Sequence, residues 1–258
     1  MRVVAYLGCL VCFLAWIGSS IGQEKKEEPK PESPVVLMSI PLEMPDKGTH
    51  NLTLRGLRLE MVEVVKCLPE TVQVKLTKKE KTSVPNQQDA KKVGDTLVQI
   101  ELTLPEKLPD NVLHVELTLK AGELESQSYH IPLSRGIPLL QEKENNGGFK
   151  QAQLLTCPQT VLGMVQAGQD VDVFRYEGKQ GEKLRWEISA ARQGSGLDAV
   201  LNVYASAGQV LAVSDDQEGL DPAVAVTLPT DGDYFISVMD AHDRGGPAHP
   251  YRLLLRKQ

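Results

Sequence analysis

Apolar and polar residues alternate in short runs along most of the chain. Between Val35 and Leu133 the runs HNLTLRGLRLE, TVQVKLT, TLVQIELTL and NVLHVELTLKA carry apolar side chains at every second position. That is the period of a strand that buries one face. MPDKG, LPE, SVPNQQD and LPEKLPDN stand between them as turn signals. Short strands at this spacing predict a β-sandwich over residues 35–136. The polar stretch KKEKTSVPNQQDAKKVGD predicts a long exposed hairpin loop. No run carries the period of a long amphipathic helix.

From about Ile137 the texture changes, and glycine, aspartate and asparagine punctuate the apolar runs. DVDVFRYEG, KLRWEISAA, AVLNVYAS, QVLAVSDD, AVAVTLP, DYFISVMD and YRLLLRK read as strands joined by the tight connections GKQGE, RQGSGLD, SAGQ, DDQEGLDP and PTDGD. Asp231-Gly232 in the last connection predicts a hairpin. The expected fold class is all-β: two β-sandwich domains, the second spanning residues 137–258, long enough to bury its own core.

The first residues run from Arg2 through an apolar stretch to small residues ending at Gly22. This is the order of a secretory signal peptide over 1–22. The apolar stretch is shorter than the ~20 residues that span a bilayer; an uncleaved anchor is the alternative. QEKKEEPKPESP makes residues 23–34 a disordered linker. The chain is therefore expected to be secreted, periplasmic or at the cell surface, with no membrane span after signal cleavage. Cleavage removes Cys9 and Cys12. Cys67 and Cys157 remain, either paired in an oxidising compartment or as two buried free thiols, and the spacing does not choose.

A formal net charge of −6 leaves no broad basic footprint, which excludes nucleic acid as an expected partner. Aromatic content of 5% restricts any sugar-stacking platform to a small one. None of the five histidines lies in an H-E-x-x-H helix. His114, in NVLHVEL, is a strand residue on the polar or edge side. Gly194-Ser195-Gly196 lacks the strand-to-helix elbow of a serine hydrolase. No pattern builds the cleft that a carboxylate pair needs for glycoside hydrolysis. An enzyme is not expected.

From Glu144 the chain reads ENNGGFKQAQLLTCPQTVLGMVQAGQDVDVFRYEGKQGEKLRWEISAARQGSGLDAVLNVYASAGQVLAVSDD, then LPTDGDYFISVMD and a closing YRLLLRK. In order and spacing this resembles the bacterial pre-peptidase C-terminal domain over residues ~138–258. The resemblance implies a jelly-roll-like sandwich that rides beside secreted enzymes and helps them meet matrices or surfaces. Its relatives in bacterial collagenases bind collagen and calcium. No peptidase precedes the domain here, so the family's name is not an activity. GLRLE, after an alternating strand, is similar to the immunoglobulin-like TIG domains that often precede this family, an analogy at the level of fold.

The resemblance directs attention to the oxygen-rich QEKENNGG and to GQDVDVF. In an extended strand Glu142, Glu144 and Asn146 share one face, and so do Asp170 and Asp172. Side by side, the two segments would supply much of the 6–8 oxygen shell of calcium, with a carbonyl such as that of Met164 and a water completing it. On the residues alone, linker charges at Glu142 and Glu144 and turn caps at Asp170 and Asp172 are the plainer expectation. The resemblance turns the expectation to a calcium site. The collagen-binding relatives carry an acidic residue after the second asparagine, where this chain has Gly147. Asp198, Asp215, Asp216, Asp221 and Asp240 are expected to bond their own turns instead.

The expected function is that of a secreted, non-catalytic binding or accessory protein that recognises an extracellular protein or polysaccharide. The alternative is a structural component of a cell envelope or surface layer without a dissociable ligand.

Overall fold

The computed structural model describes residues 31–85, 88–216 and 219–258. The expected signal peptide, with Cys9 and Cys12, and most of the expected linker lie outside them. Residues from Glu32 onward form one compact unit.

Within it the first half folds as β1 (Val35–Ile40), β2 (Met44–Pro45), β3 (Gly48–Leu57), β4 (Val64–Leu68), β5 (Gln73–Lys81), β6 (Thr96–Leu104), β7 (His114–Ala121), β8 (Leu124–Glu125) and β9 (Tyr129–Ser134). One sheet has the order β1-β3-β6-β5 and the other β2-β9-β7-β4, with β8 on β7. Alternation decides which face turns inward. In β6 Val98, Ile100, Leu102 and Leu104 are buried, and Val115, Leu117 and Leu119 of β7 meet them in one core.

The second half contains β10 (Leu139–Gln141), β11 (Gln153–Leu155), β12 (Gln159–Met164), β13 (Val171–Gly178), β14 (Lys183–Ser189), β15 (Ala199–Ala205), β16 (Val210–Ser214), β17 (Ala223–Thr227), β18 (Gly232–Asp240) and β19 (Pro250–Lys257). These make two 5-stranded sheets, β10-β12-β19-β14-β17 and β11-β13-β18-β15-β16. Trp186, Tyr251 and Leu253 from the first pack on Phe174, Tyr234 and Ile236 from the second. The fold is all-β, as expected: two sandwiches, the second jelly-roll-like.

The chain changes sheet at almost every connection of this second sandwich, and that corrects one expectation. Asp231-Gly232 does not close a hairpin, because β17 and β18 lie in different sheets. The Tyr234 hydroxyl fixes the crossing: it donates to the Thr230 carbonyl at 2.7 Å and accepts from the Thr230 amide at 3.2 Å. A tyrosine bonded back to the chain just upstream is a recurring way to hold such a corner. The short strands β10 and β11, which pair in parallel with β12 and β13, escaped the periodicity reading because three residues carry no period.

The polar stretch read as an exposed hairpin loop also folds differently. Its first residues extend β5 to Lys81, and Asp89 then caps a single helical turn, α1 (Ala90–Val93), by accepting from the Lys91 amide at 2.9 Å. Val93 joins Met38 and Ala248 in a small apolar cluster between the sandwiches. Gln88 donates to the Gly196 carbonyl at 2.9 Å and lies 2.9 Å from Nε2 of the buried His249. The buried Arg55 holds the stretch from beneath, donating to the carbonyls of Val93, Ser83 and Gly94 at 2.6, 2.6 and 3.0 Å. An ion pair between Glu43 and Arg252 spans the same junction.

Cys67 and Cys157 sit half-buried in different sandwiches and are free, which settles the alternative left open by their spacing. Burial alone pushes the Cys67 thiol up to about 11.

Gly194 reaches the junction at φ +84°, and a Cβ there would run into the Leu37 backbone carbonyl. Gly181 has a similar φ of +81° but faces open space. Gly194→Ala should therefore lose about 1–3 kcal/mol more than Gly181→Ala in urea titrations, the added cost being overpacking at the junction.

Candidate metal centre

Glu142 follows β10, and the chain does not stay extended beyond it. Asn145 takes a left-handed φ of 67°, which swings the buried Asn146 onto the start of β13. There the Asn146 carbonyl accepts from the amides of Val173 at 3.2 Å and Gly148 at 2.8 Å. The lead-in segment thus arrives by a turn, not by the strand alternation expected for Glu142, Glu144 and Asn146. A second left-handed residue, Gln169 at φ 66°, turns the other segment into β13. Asp170 is held by the Gln166 amide, which donates to its Oδ2 at 2.7 Å. Asp172, the second residue of β13, is 0% exposed.

Glu144, Asp170 and Asp172 each place a carboxylate oxygen within 4.8 Å of the others. Glu142 and Asn146 lie beside them, bonded to each other. Asn146 Nδ2 donates to Glu142 Oε1 at 2.8 Å, and the Met164 amide donates to Glu142 Oε2 at 2.8 Å. Met164 thus offers Glu142 its amide. All five expected residues meet at one place, three facing each other and two interlocked at the side.

Two residues that the sequence did not flag complete the site. The Tyr251 hydroxyl lies 2.8 Å from Asp172 Oδ2 and 3.3 Å from Glu142 Oε1. It has one proton for two acceptors. Gly163 stands opposite Tyr251 in the β12–β19 ladder, and a Cβ there would collide with the tyrosine ring and with Glu142. Alternation in YRLLLRK aligns Tyr251 with Leu253 and Leu255 in the core; nothing local shows that its hydroxyl ends beneath a carboxylate.

Donors are too few for this much negative charge. Asp172 Oδ1 is buried with no hydrogen-bond partner. In the metal-free chain burial first, then the neighbouring Glu142, pushes the Asp172 carboxyl up to about 10. Burial and the charges of Glu142 and Asp170 raise Glu144 as well. Buried carboxylates in this arrangement either hold protons or hold a cation. The donor set is hard oxygen throughout, which fits calcium rather than a thiophilic ion. A Cβ on Gly147 would make only ordinary contact with the Val171 carbonyl, so the acidic residue of the relatives is missing here without a steric reason.

Of the other acidic residues, Asp215 and Asp240 bond their own turns as expected, whereas Asp221 reaches the distant segment at 190–192 and Asp198 pairs with His242, which corrects the expectation for those two. Asp221 accepts from the amides of Ala190, Ala191 and Arg192 at 3.0, 2.8 and 3.3 Å. Asp240 accepts from the amides of Asp198, His242 and Arg244 at 3.0, 2.9 and 3.0 Å, and from the Arg244 guanidinium. Asp215 accepts from the Asp216 amide at 2.8 Å.

Residues 170–239 match the family described as bacterial pre-peptidase C-terminal domain. Within the second sandwich this match runs from the start of β13 to the end of β18. The match to this pre-peptidase C-terminal domain opens on Asp170 itself, so Glu142, Glu144 and Asn146 precede it. A stretch of 70 residues is 37% identical to a probable subtilase-type serine protease of Deinococcus radiodurans, covering 27% of this chain and 10% of that protein. The matched stretch therefore spans only about a tenth of that relative's length. Among solved structures, the pre-peptidase C-terminal domain of a Bacillus anthracis collagenase aligns at TM-score 0.34 and 13% identity, over 41% of this chain and 94% of that one. The periplasmic inhibitor of g-type lysozyme PliG from Aeromonas hydrophila aligns at TM-score 0.32 and 22% identity, over 47% and 97%. Likenesses this low bear on neither ligand nor partner. Domains of the matched family are non-catalytic accessories of proteases. No helix among the described residues is long and apolar enough to cross a membrane.

The carboxyl of Asp172 yields a pH test. Its folded pKa lies far above its unfolded value, so the metal-free fold takes up a proton on folding. That contribution is complete below about pH 4 and is lost as pH rises toward about 10. In excess chelator the wild type should lose melting temperature between pH 5 and 9 more steeply than Asp172→Asn. Parallel curves would contradict the assignment.

Proposed function

We propose that this chain is a secreted, non-catalytic accessory protein whose second sandwich is clamped at its start by calcium. One observation carries the calcium reading: a fully buried Asp172 oxygen lacks any partner while the carboxylates of Glu144 and Asp170 stand beside it. A divalent ion among the three removes their repulsion and satisfies that oxygen. Glu142 and Asn146 complete or brace the shell. The likeness to a stretch of a probable subtilase-type serine protease supports a role beside catalysis.

The ion's role is architectural. Ile40, Pro41 and Leu42 of the first sandwich border the same small cleft as Glu142, Glu144 and Tyr251. An ion here ties the lead-in segment to β13 next to the place where the two sandwiches meet. The rigid pair then presents its outer surfaces to an extracellular protein or polysaccharide partner.

Calcium should raise the melting temperature, and the rise should keep growing with the logarithm of calcium concentration above Kd. At ten to a hundred times Kd the gain is about 1.4–2.7 kcal/mol. Glu144→Gln removes an exposed carboxylate and should leave the metal-free fold intact while cutting the calcium response. Asp170→Ala should abolish it, and magnesium should not substitute. Identical melts in calcium and in chelator would overturn the site, and turnover on a panel of hydrolase substrates would overturn the non-catalytic role.

A further inference from the structure

The first sandwich carries a second group of metal-binding residue types, of a different chemical kind. β7 and β9 run antiparallel with His114 opposite Pro132 and Glu116 opposite His130. Side chains two apart on a strand share a face, and directly opposed pairs share it too. His114, Glu116 and His130 therefore lie together on one face of the sheet. Val115, Leu117 and Ile131 occupy the other and are buried in the core, so the three polar residues look outward.

The three side chains are neighbours but do not converge as ligands on one ion in this structure. The imidazole ring centres of His114 and His130 are 4.4 Å apart, with planes inclined at 31°. His130 Nε2 lies 3.8 Å from Glu116 Oε2. Two donors bound to a tetrahedral ion at 2.0–2.1 Å are separated by about 3.4 Å, so these exposed side chains must rotate toward a common point to bind one. The Ser128 hydroxyl donates to the other Glu116 oxygen, which leaves Oε2 facing the imidazole. The strands fix the backbone of all three residues, and a rigid frame lowers the cost of ordering them.

The remaining histidines are engaged elsewhere. His50 bonds the Lys47 carbonyl at 2.8 Å, His242 lies 3.2 Å from Asp198, and His249 is buried against Gln88. We propose that His114, His130 and Glu116 form a surface site for a late divalent transition metal, with two imidazole nitrogens and one carboxylate oxygen as protein ligands and water in the open positions. Imidazole suits copper, nickel and zinc, and among divalent ions copper binds most tightly. The site is chemically distinct from the all-oxygen cluster at Asp172 and does not depend on calcium there.

The test uses the full chain without an affinity tag, saturated with calcium so that the oxygen cluster does not compete. Calorimetric titration with copper(II) should show a site that zinc(II) occupies more weakly. Electron paramagnetic resonance of the copper complex should show hyperfine coupling to two imidazole nitrogens. His114→Ala and His130→Ala should each weaken binding by at least tenfold, and Glu116→Gln by roughly tenfold. All three positions face outward, and circular dichroism would verify that the variants fold. Absence of copper binding, a spectrum without two nitrogen ligands, or affinity unchanged in both histidine variants would overturn the proposal.

Discussion

A carboxylate in the protein interior with too few donors governs the second sandwich. Asp172 lies at the head of β13, where alternation sends its side chain inward. Its surroundings supply one hydroxyl proton, from Tyr251, and Glu142 competes for it. The rest of the site follows from that shortage. Gly163 leaves the space in which Tyr251 lies, Met164 and Asn146 spend their N–H groups on Glu142, and the left-handed Asn145 brings the lead-in segment within reach. A site assembled around an unmet charge is poised for a cation, and assembly from two segments makes any such cation a mechanical fastener.

The same economy of donors appears at the junction of the sandwiches, with the sign reversed. Arg55 is a buried guanidinium that donates to carbonyl oxygens. Those carbonyls belong to the polar stretch around α1, so the cation orders a segment whose own sequence has no reason to be ordered. Val93 and Gln88 then carry that order across to Ala248, Gly196 and His249.

Much of the fold was legible because β6, β7 and β14 alternate cleanly, and alternation in a strand is a direct record of which face is buried. The segments that misled are those where the record is short or non-local. β10 and β11 are too brief to show a period. Asp231-Gly232 has hairpin chemistry, yet which sheet each flanking strand joins is decided by packing across the core. The polar stretch around α1 looked solvated because Arg55, more than twenty residues upstream, is invisible to any local window. At the candidate metal centre the acidic and amide residues were legible as oxygen chemistry. Their convergence was inferred from strand geometry, but two left-handed residues bring it about. Tyr251 and Gly163 were illegible because one reads as core and the other as a plain strand residue.

The plug formed by the polar stretch has a consequence for how such modules are shared among proteins. Met38, Val93 and Ala248 make a patch that neither sandwich covers alone, and the His249 imidazole meets Gln88 across the boundary. A descendant that transplanted the second half onto an unrelated chain would inherit an uncovered apolar scar and a stranded imidazole. Shuffling of this module should therefore leave a trace: either the companion half travels with it, or the residues at positions 248 and 249 are rewritten to suit open water.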